Sequence, residues 1–309
     1  MSIMKRKMLL ICIICLPFIG QAQVLKVGSM KKIDLPNGPT KSVVGLSPVG
    51  DYILLSTASN NGLVKFDLST GKTQELTSGK GTGFNVKISN DGKQILYPES
   101  SYSKNNLRRV SLNAIDLSTG KTQQLVKPSR NLQGYSIGGA TVSVVKDNKQ
   151  KLTRLQPNAV KRFEMPTLSI KNRQLLITKG GKTQVFSPNG KQFSYIWPSV
   201  SPDGTKALYY VCGVGAFVCD LNGSNLKSLG TLRAPRWYNN DVIIGMNDQD
   251  DGEYVYASSI VVKSLSGQEQ VLTDDSVIAM YPYATLKGDK IVFSTPAGEA
   301  YMIDININN

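Results

Sequence analysis

The 309-residue sequence contains no histidine. That absence excludes Ser-His-Asp and Cys-His nucleophiles, His-ligated zinc or iron, and imidazole acid–base chemistry. Cysteine is scarce: four residues, of which Cys12 and Cys15 fall in the first 22. Beyond that opening segment no apolar run approaches the roughly 18–20 residues needed to cross a bilayer. The 28 Gly and 14 Pro are scattered rather than clustered, which rules out collagen-like and low-complexity classes.

The first residues read as an export signal. Lys5, Arg6 and Lys7 form a basic start, Met8 to Ile19 an apolar stretch, and Gly20-Gln21-Ala22 places small residues at a cleavage site. Twelve apolar residues are too few to span a membrane. Ile13 and Ile14 precede Cys15 where a lipoprotein needs a small residue. Residues 1–22 are therefore expected to be a signal peptide, and 23–309 a single domain in the periplasm or secreted. In that oxidising setting Cys212 and Cys219, spaced across a Gly-rich turn, are expected to form a disulfide.

One pattern recurs along the chain. Ser47-Pro-Val-Gly-Asp51, Ser89-Asn-Asp-Gly-Lys93, Ser201-Pro-Asp-Gly-Thr205 and Leu286-Lys-Gly-Asp-Lys290 each lead into an apolar stretch, and Tyr238-Asn-Asn-Asp241 is a degenerate copy. Such segments make tight turns between antiparallel strands. A second hairpin follows, clearest in Asp67-Leu-Ser-Thr-Gly71 and Asp116-Leu-Ser-Thr-Gly120. Two hairpins per period of about 40–45 residues are the signature of propeller blades. The stretch from Ser89 to Ser201 is too long for two such periods and short for three. It reads as two blades plus a basic insertion at about 146–173 in the third blade. The expected fold is thus all-β, a six-bladed propeller of four-stranded blades, with seven blades as the alternative. Val24 to Leu35 supplies the missing strand of the last blade and closes the ring.

These repeats resemble the Ser-Pro-Asp-Gly repeat of the TolB-type periplasmic propellers, most closely in Trp197-Pro-Ser-Val-Ser-Pro-Asp-Gly204. The resemblance covers most of residues 41–305 and implies a six-bladed periplasmic propeller that binds protein partners or glycans. TolB carries an additional α/β domain for which this chain has no room. The same repeat decorates peptidases and uronate lyases, so it speaks for the fold more than for the function.

Gly134-Tyr-Ser136-Ile-Gly138 matches a nucleophile elbow, but without an α/β domain or a histidine it reads as an ordinary strand. The acidic run Asn247-Asp-Gln-Asp-Asp-Gly-Glu253 lacks the spacing of a calcium loop and reads as a polar hairpin. No metal or cofactor is expected. The chain is read as a non-catalytic binding or scaffolding module; the alternative is a hydrolase or lyase acting on glycans with carboxylates alone.

Charge points to the ligand. The chain carries +14, and residues 104–191 hold seventeen Lys and Arg against three acids. Lys146, Lys149, Lys151, Arg154, Lys161 and Arg162 form a candidate anion-binding patch. An envelope protein, an acidic glycan or lipopolysaccharide would suit it, with peripheral membrane association; export argues against nucleic acid, and a monomer is expected. Trp197-Pro198, Ala234-Pro235 and Tyr281-Pro282 take equivalent places in three successive repeats. Trp197, Arg236, Trp237, Tyr281 and Tyr283 are therefore candidates for a ligand site at one mouth of the ring.

Overall fold

The Ser-Asp-Gly turns build themselves from local hydrogen bonds. Ser201 Oγ donates to Asp203 (2.5 Å) and accepts from the N–H groups of Thr205 and Lys206 (3.1 and 2.9 Å), while Gly204 takes φ +75°. Ser89 and Asp91 repeat the bond at 2.5 Å, and Thr285 and Asp289 do the same in the last copy. The hydroxyl is buried in each case and satisfies backbone donors that the turn would otherwise orphan. The second hairpins close on Asp67 and Asp116, whose carboxylates accept from the N–H groups two and three residues on, within the turn. Those bonds, to Ser69 first, hold Asp67 below the usual carboxylate range.

The computed structural model describes residues 23–36, 41–156 and 165–307. Within them the strands form seven antiparallel sheets, and no helix is present. The protein is a seven-bladed propeller. Blade 1 holds the strands Lys41–Leu46, Tyr52–Thr57, Leu63–Asp67 and Thr73–Thr77, from the axis outward. Blade 2 holds Lys87–Ile88, Gln94–Tyr102, Arg108–Asp116 and Thr122–Ser129. Blades 3 and 4 have three strands each: Leu132–Gly138, Thr141–Lys146 and Lys149–Arg154, then Thr167–Lys171, Gln174–Lys179 and Lys182–Val185. Blades 5 and 6 return to four, with inner strands Tyr195–Val200 and Arg233–Trp237. Blade 7 is Met280–Ala284, Lys290–Ser294 and Ala300–Ile305, completed on its outside by the N-terminal strand Val27–Ile33.

Six blades were expected, and the count is corrected by the segment read as an insertion. Residues 146–156 and 165–173, the described part of that segment, do not hang from the third blade. They contribute the third strand of blade 3 and the first strand of blade 4. Three-stranded blades are shorter, which is why blades 3 and 4 together with the four-stranded blade 2 fit where two blades and an insertion were counted. Their turns also differ: Asp147-Asn148, Asn172-Arg173 and Gly180-Gly181 all have positive φ at both residues, the two-residue hairpin turn that needs no Ser-Asp-Gly signature.

An odd number of strands leaves the chain at the opposite face of the ring. Blade 4 therefore runs inverted. Its inner strand passes antiparallel to that of blade 3, with Thr167 bonded to Ser136 (2.9 Å) and Lys171 reaching Asn148. A Cβ on Gly134 would strike Ser169, so only glycine permits this approach. The turn at Arg173 meets the start of blade 5 through Tyr195 N–H, and Met165 lies under Gly204 at the other face. A second three-stranded blade restores the original direction.

Apolar clusters sit between successive blades rather than inside them. Tyr52, Ile53, Leu54 and Leu55 all lie in one strand and are all buried, because neighbouring blades cover both its faces. Tyrosines latch blade to blade: Tyr52 donates to the carbonyl of Gly92, and Tyr238 to that of Gly288.

The expected Cys212–Cys219 disulfide does not form. The hairpin turns at Cys212-Gly213-Val214, so Val211 faces Gly215 and Cys219 faces Ala207. That separates the cysteines by several residues along the strands, far beyond bridging reach. Cys212 is exposed, whereas Cys219 is buried between blades 4 and 5 and its thiol is pushed up to about 11 by burial. A thiol reagent should modify one cysteine per native molecule and both only after unfolding; a mass two hydrogens short, with no modification, would restore the bridge.

Candidate functional site

Antiparallel blades alternate strand ends between the two faces of the ring. The inner strands of blades 5, 6 and 7 begin at the same face, and each bulges one turn in from that end. Two residues oppose one at Trp197-Pro198, Ala234-Pro235 and Tyr281-Pro282. The first residue of each pair is left-handed, with φ of 50°, 46° and 55°. Proline suits the bulge because it has no N–H to leave unpaired. Bulky residues in this region store about 1–3 kcal/mol each. The strain aims two aromatics outward at the mouth: Trp197 is 37% exposed and Tyr281 40%. Trp197 rests edge-on against Tyr210 (5.4 Å, 67°).

Below the bulges lies one layer set by register, two residues before each turn. It comprises Gly45, Lys87, Ser199, Arg236 and Tyr283 of blades 1, 2, 5, 6 and 7, which pair with Leu54, Leu96, Leu208, Ile244 and Val292. The Arg236 guanidinium stacks over the Tyr283 ring at 3.8 Å. Its Nε is buried without a hydrogen-bond partner, as is Ser199 Oγ. Lys87 is pushed down to about 8, first by desolvation and then by the charge on Arg236. Blades 2 and 6 are not neighbours, so these two cations feel one another only across the axis. Neither has an acidic partner among the described residues.

Of the residues expected at the mouth, the structure brings Arg236 and Tyr283 together and places Trp197 and Tyr281 on its rim. Trp237 goes elsewhere. It packs against the apolar cluster between blades 5 and 6. Lys87 was missed, although its place two residues before Ser89 matches that of Arg236 before Tyr238.

Acids gather beside the mouth on blade 6. Arg233 Nη1 meets both Asp248 (2.9 Å) and Asp250 (3.0 Å). The Asp248 side chain is almost fully buried, and desolvation raises its pKa despite the guanidinium. The rest of the acidic run is a hairpin tip, where Asp251 accepts from Glu253 and Tyr254 N–H. The basic patch is a surface feature. Lys146 faces Lys149 across the turn of blade 3, and with Lys151 and Arg154 they are exposed and have no acidic partner among the described residues. Lys161 and Arg162, like the signal segment 1–22, lie outside the described residues.

No protein-family model and no curated protein sequence matches the chain. Solved structures share its fold. A chain of a mitotic checkpoint complex aligns with TM-score 0.59 at 9% identity, covering 98% of this chain and 100% of that one. An oligogalacturonate lyase in complex with manganese aligns with TM-score 0.49 at 13% identity, over 87% of this chain and 78% of that one. An oligogalacturonate lyase from Vibrio parahaemolyticus gives 0.44 at 13% identity, over 87% and 79%. At such identities the likeness concerns the β-propeller fold alone.

Proposed function

We propose that this protein is an exported, non-catalytic binding propeller that takes an anionic group of an envelope glycan or protein into the mouth of its central channel. One observation carries the reading: Lys87 feels the charge of Arg236 across the axis, and neither cation has an acidic partner among the described residues. Two desolvated like charges cost free energy that a bound anion would recover. Arg236 still has an unused buried donor, and its planar fork suits a carboxylate or phosphate. Trp197 and Tyr281 on the rim offer flat apolar surface to the remainder of the ligand. The exposed cations of blade 3 would draw anions toward this side of the molecule, and the resemblance of the turns to TolB-type repeats agrees with a binding role.

The test is retention on acidic-glycan and lipopolysaccharide matrices. The parent should bind at 0.1 M salt and elute as screening tightens from about 10 Å to about 3 Å at 1 M. The pair Lys87→Gln and Arg236→Gln should weaken binding at least about tenfold, which is 1.4 kcal/mol. The quadruple change of Lys146, Lys149, Lys151 and Arg154 to Gln should instead slow association and flatten its salt dependence. A channel pair that binds like the parent defeats the reading.

A second reading, glycan cleavage by carboxylates alone, rests on Asp248 and Asp250. Both touch one guanidinium nitrogen, so their carboxylates are close, and desolvation raises the pKa of the buried Asp248. Turnover of an acidic oligosaccharide that disappears in Asp248→Asn would favour it.

A further inference from the structure

Blades 1, 2, 5, 6 and 7 each have a fourth, outermost strand, and blade 4 ends at its third, Lys182–Val185. The Gly180-Gly181 turn makes Lys179 and Lys182 the closing hydrogen-bonded pair. Alternation then turns the N–H and C=O of Thr183 and Val185 away from the sheet, and neither group has a partner among the described residues. Val185 is 45% exposed. Beside this edge, on the side facing blade 5, lies a groove of about 380 Å³ lined by Ile177, Lys179, Lys182, Gln184, Leu221 and Asn222. It sits where alternate side chains of a fourth strand would project.

Charge selects the occupant. Residues 165–194, the whole of blade 4 and its exit, contain Lys171, Arg173, Lys179, Lys182 and Lys191 and not one acid. A second copy of this chain would bring the same basic edge, and lysine on an edge strand is a common barrier to self-pairing. We propose that the outer edge of blade 4 is a strand-addition site for an extended acidic segment of a partner protein. The segment would donate to and accept from the backbone of Thr183 and Val185, while its acidic side chains at alternate positions meet Lys179 and Lys182 in the groove. This site is separate from the channel and stands without it.

The probe is a fluorescein-labelled peptide of alternating Glu and Thr or Val, followed by anisotropy with the full mature chain at low salt. Two controls accompany it: the same composition with prolines at the two central Thr/Val positions, and a Glu-only peptide of equal charge. The alternating peptide should bind at least tenfold more tightly than either control. Thr183→Pro removes one outward donor and no backbone bond of the sheet, although it also loses the hydroxyl contact with Thr178 (2.8 Å). It should therefore cut binding about tenfold with at most a small fall in melting temperature. Lys182→Glu should do the same, and the Lys87→Gln, Arg236→Gln pair should bind as the parent does. Equal binding of the proline-bearing peptide would show charge attraction without strand addition and overturn the proposal. So would no binding at all, or loss of binding in the channel pair, which would place the peptide at the mouth instead. If Thr183→Pro lowers the melting temperature, the peptide comparison with the unaltered protein decides alone.

Discussion

Removing residues 24–35 should collapse the ring. The N-terminal strand is bonded along the last strand of blade 7, from Val27 opposite Ile305 to Ile33 opposite Ala300. Its two ends do different work. Leu25 is buried in the cluster between blades 6 and 7, and Ile33 in the one between blades 7 and 1. Each buried side chain contributes about 1.5–3 kcal/mol, and each ladder hydrogen bond about 0.5–1.5. Set against a total stability of about 5–15 kcal/mol, that is a large share. Truncation also bares the edge of Ala300–Ile305, whose apolar residues Met302, Ile303 and Ile305 are buried in the intact ring. The truncated protein should aggregate, or melt on the order of 10 °C or more below the parent.

A point variant refines this test. The Gln270 side chain accepts from the N–H of Val24 and Leu25 (both 2.8 Å) and donates to the Leu25 carbonyl (3.1 Å). Gln270→Ala should cost about 1–3 kcal/mol while leaving the strand in place. A truncated chain with the parent's melting curve would mean the six other blades hold blade 7 without its outer strand.

The closing strand could be read from the sequence because an extra strand before the first repeat matched a vacancy in the last. The Ser-Asp-Gly turns were legible for a similar reason: their hydrogen bonds are local, and so is their signature. Blade count was not. Blades 3 and 4 turn on Asp147-Asn148, Asn172-Arg173 and Gly180-Gly181, which carry no trace of the repeat, and the inversion of blade 4 follows from strand parity, a property of the whole chain. The disulfide failed on register, since a turn at Cys212-Gly213-Val214 sets Cys219 opposite Ala207 and slides the cysteines apart. At the mouth, Trp197 and Tyr281 were found through their shared proline. Lys87 escaped because the inner strand of blade 2 has only two residues and no proline bulge. Its depressed pKa comes first from burial in the folded ring and then from Arg236, on a blade far away in sequence.

That pairing of like charges gives the last expected result, a stabilised variant. Lys87 carries its proton in both folded and unfolded chains at neutral pH, and the folded state bears the cost of holding it near Arg236 in a desolvated channel. Its folded pKa of about 8 lies below the ordinary 10.5. Between those values the unfolded chain binds more protons, so stability attributable to this group rises with pH across that window. Below about 8 the cost is present in full; above 10.5 the amine is neutral in both states and the cost is gone. At 1.36 kcal/mol per tenfold, and with channel water screening part of it, the penalty is about 2 kcal/mol. Lys87→Met keeps the length of the side chain and removes the charge. At pH 7 it should melt several degrees above the parent, and the gap should close between pH 8 and 10.5. At millimolar concentration, below the range in which they stabilise proteins in general, sulfate or citrate should raise the melting point of the parent at pH 7 more than that of Lys87→Met, because the anion relieves a cost that the variant no longer has. A variant less stable than the parent at pH 7 would mean that the amine is held by bonds worth more than the repulsion, and the channel would lose its claim to be an anion site.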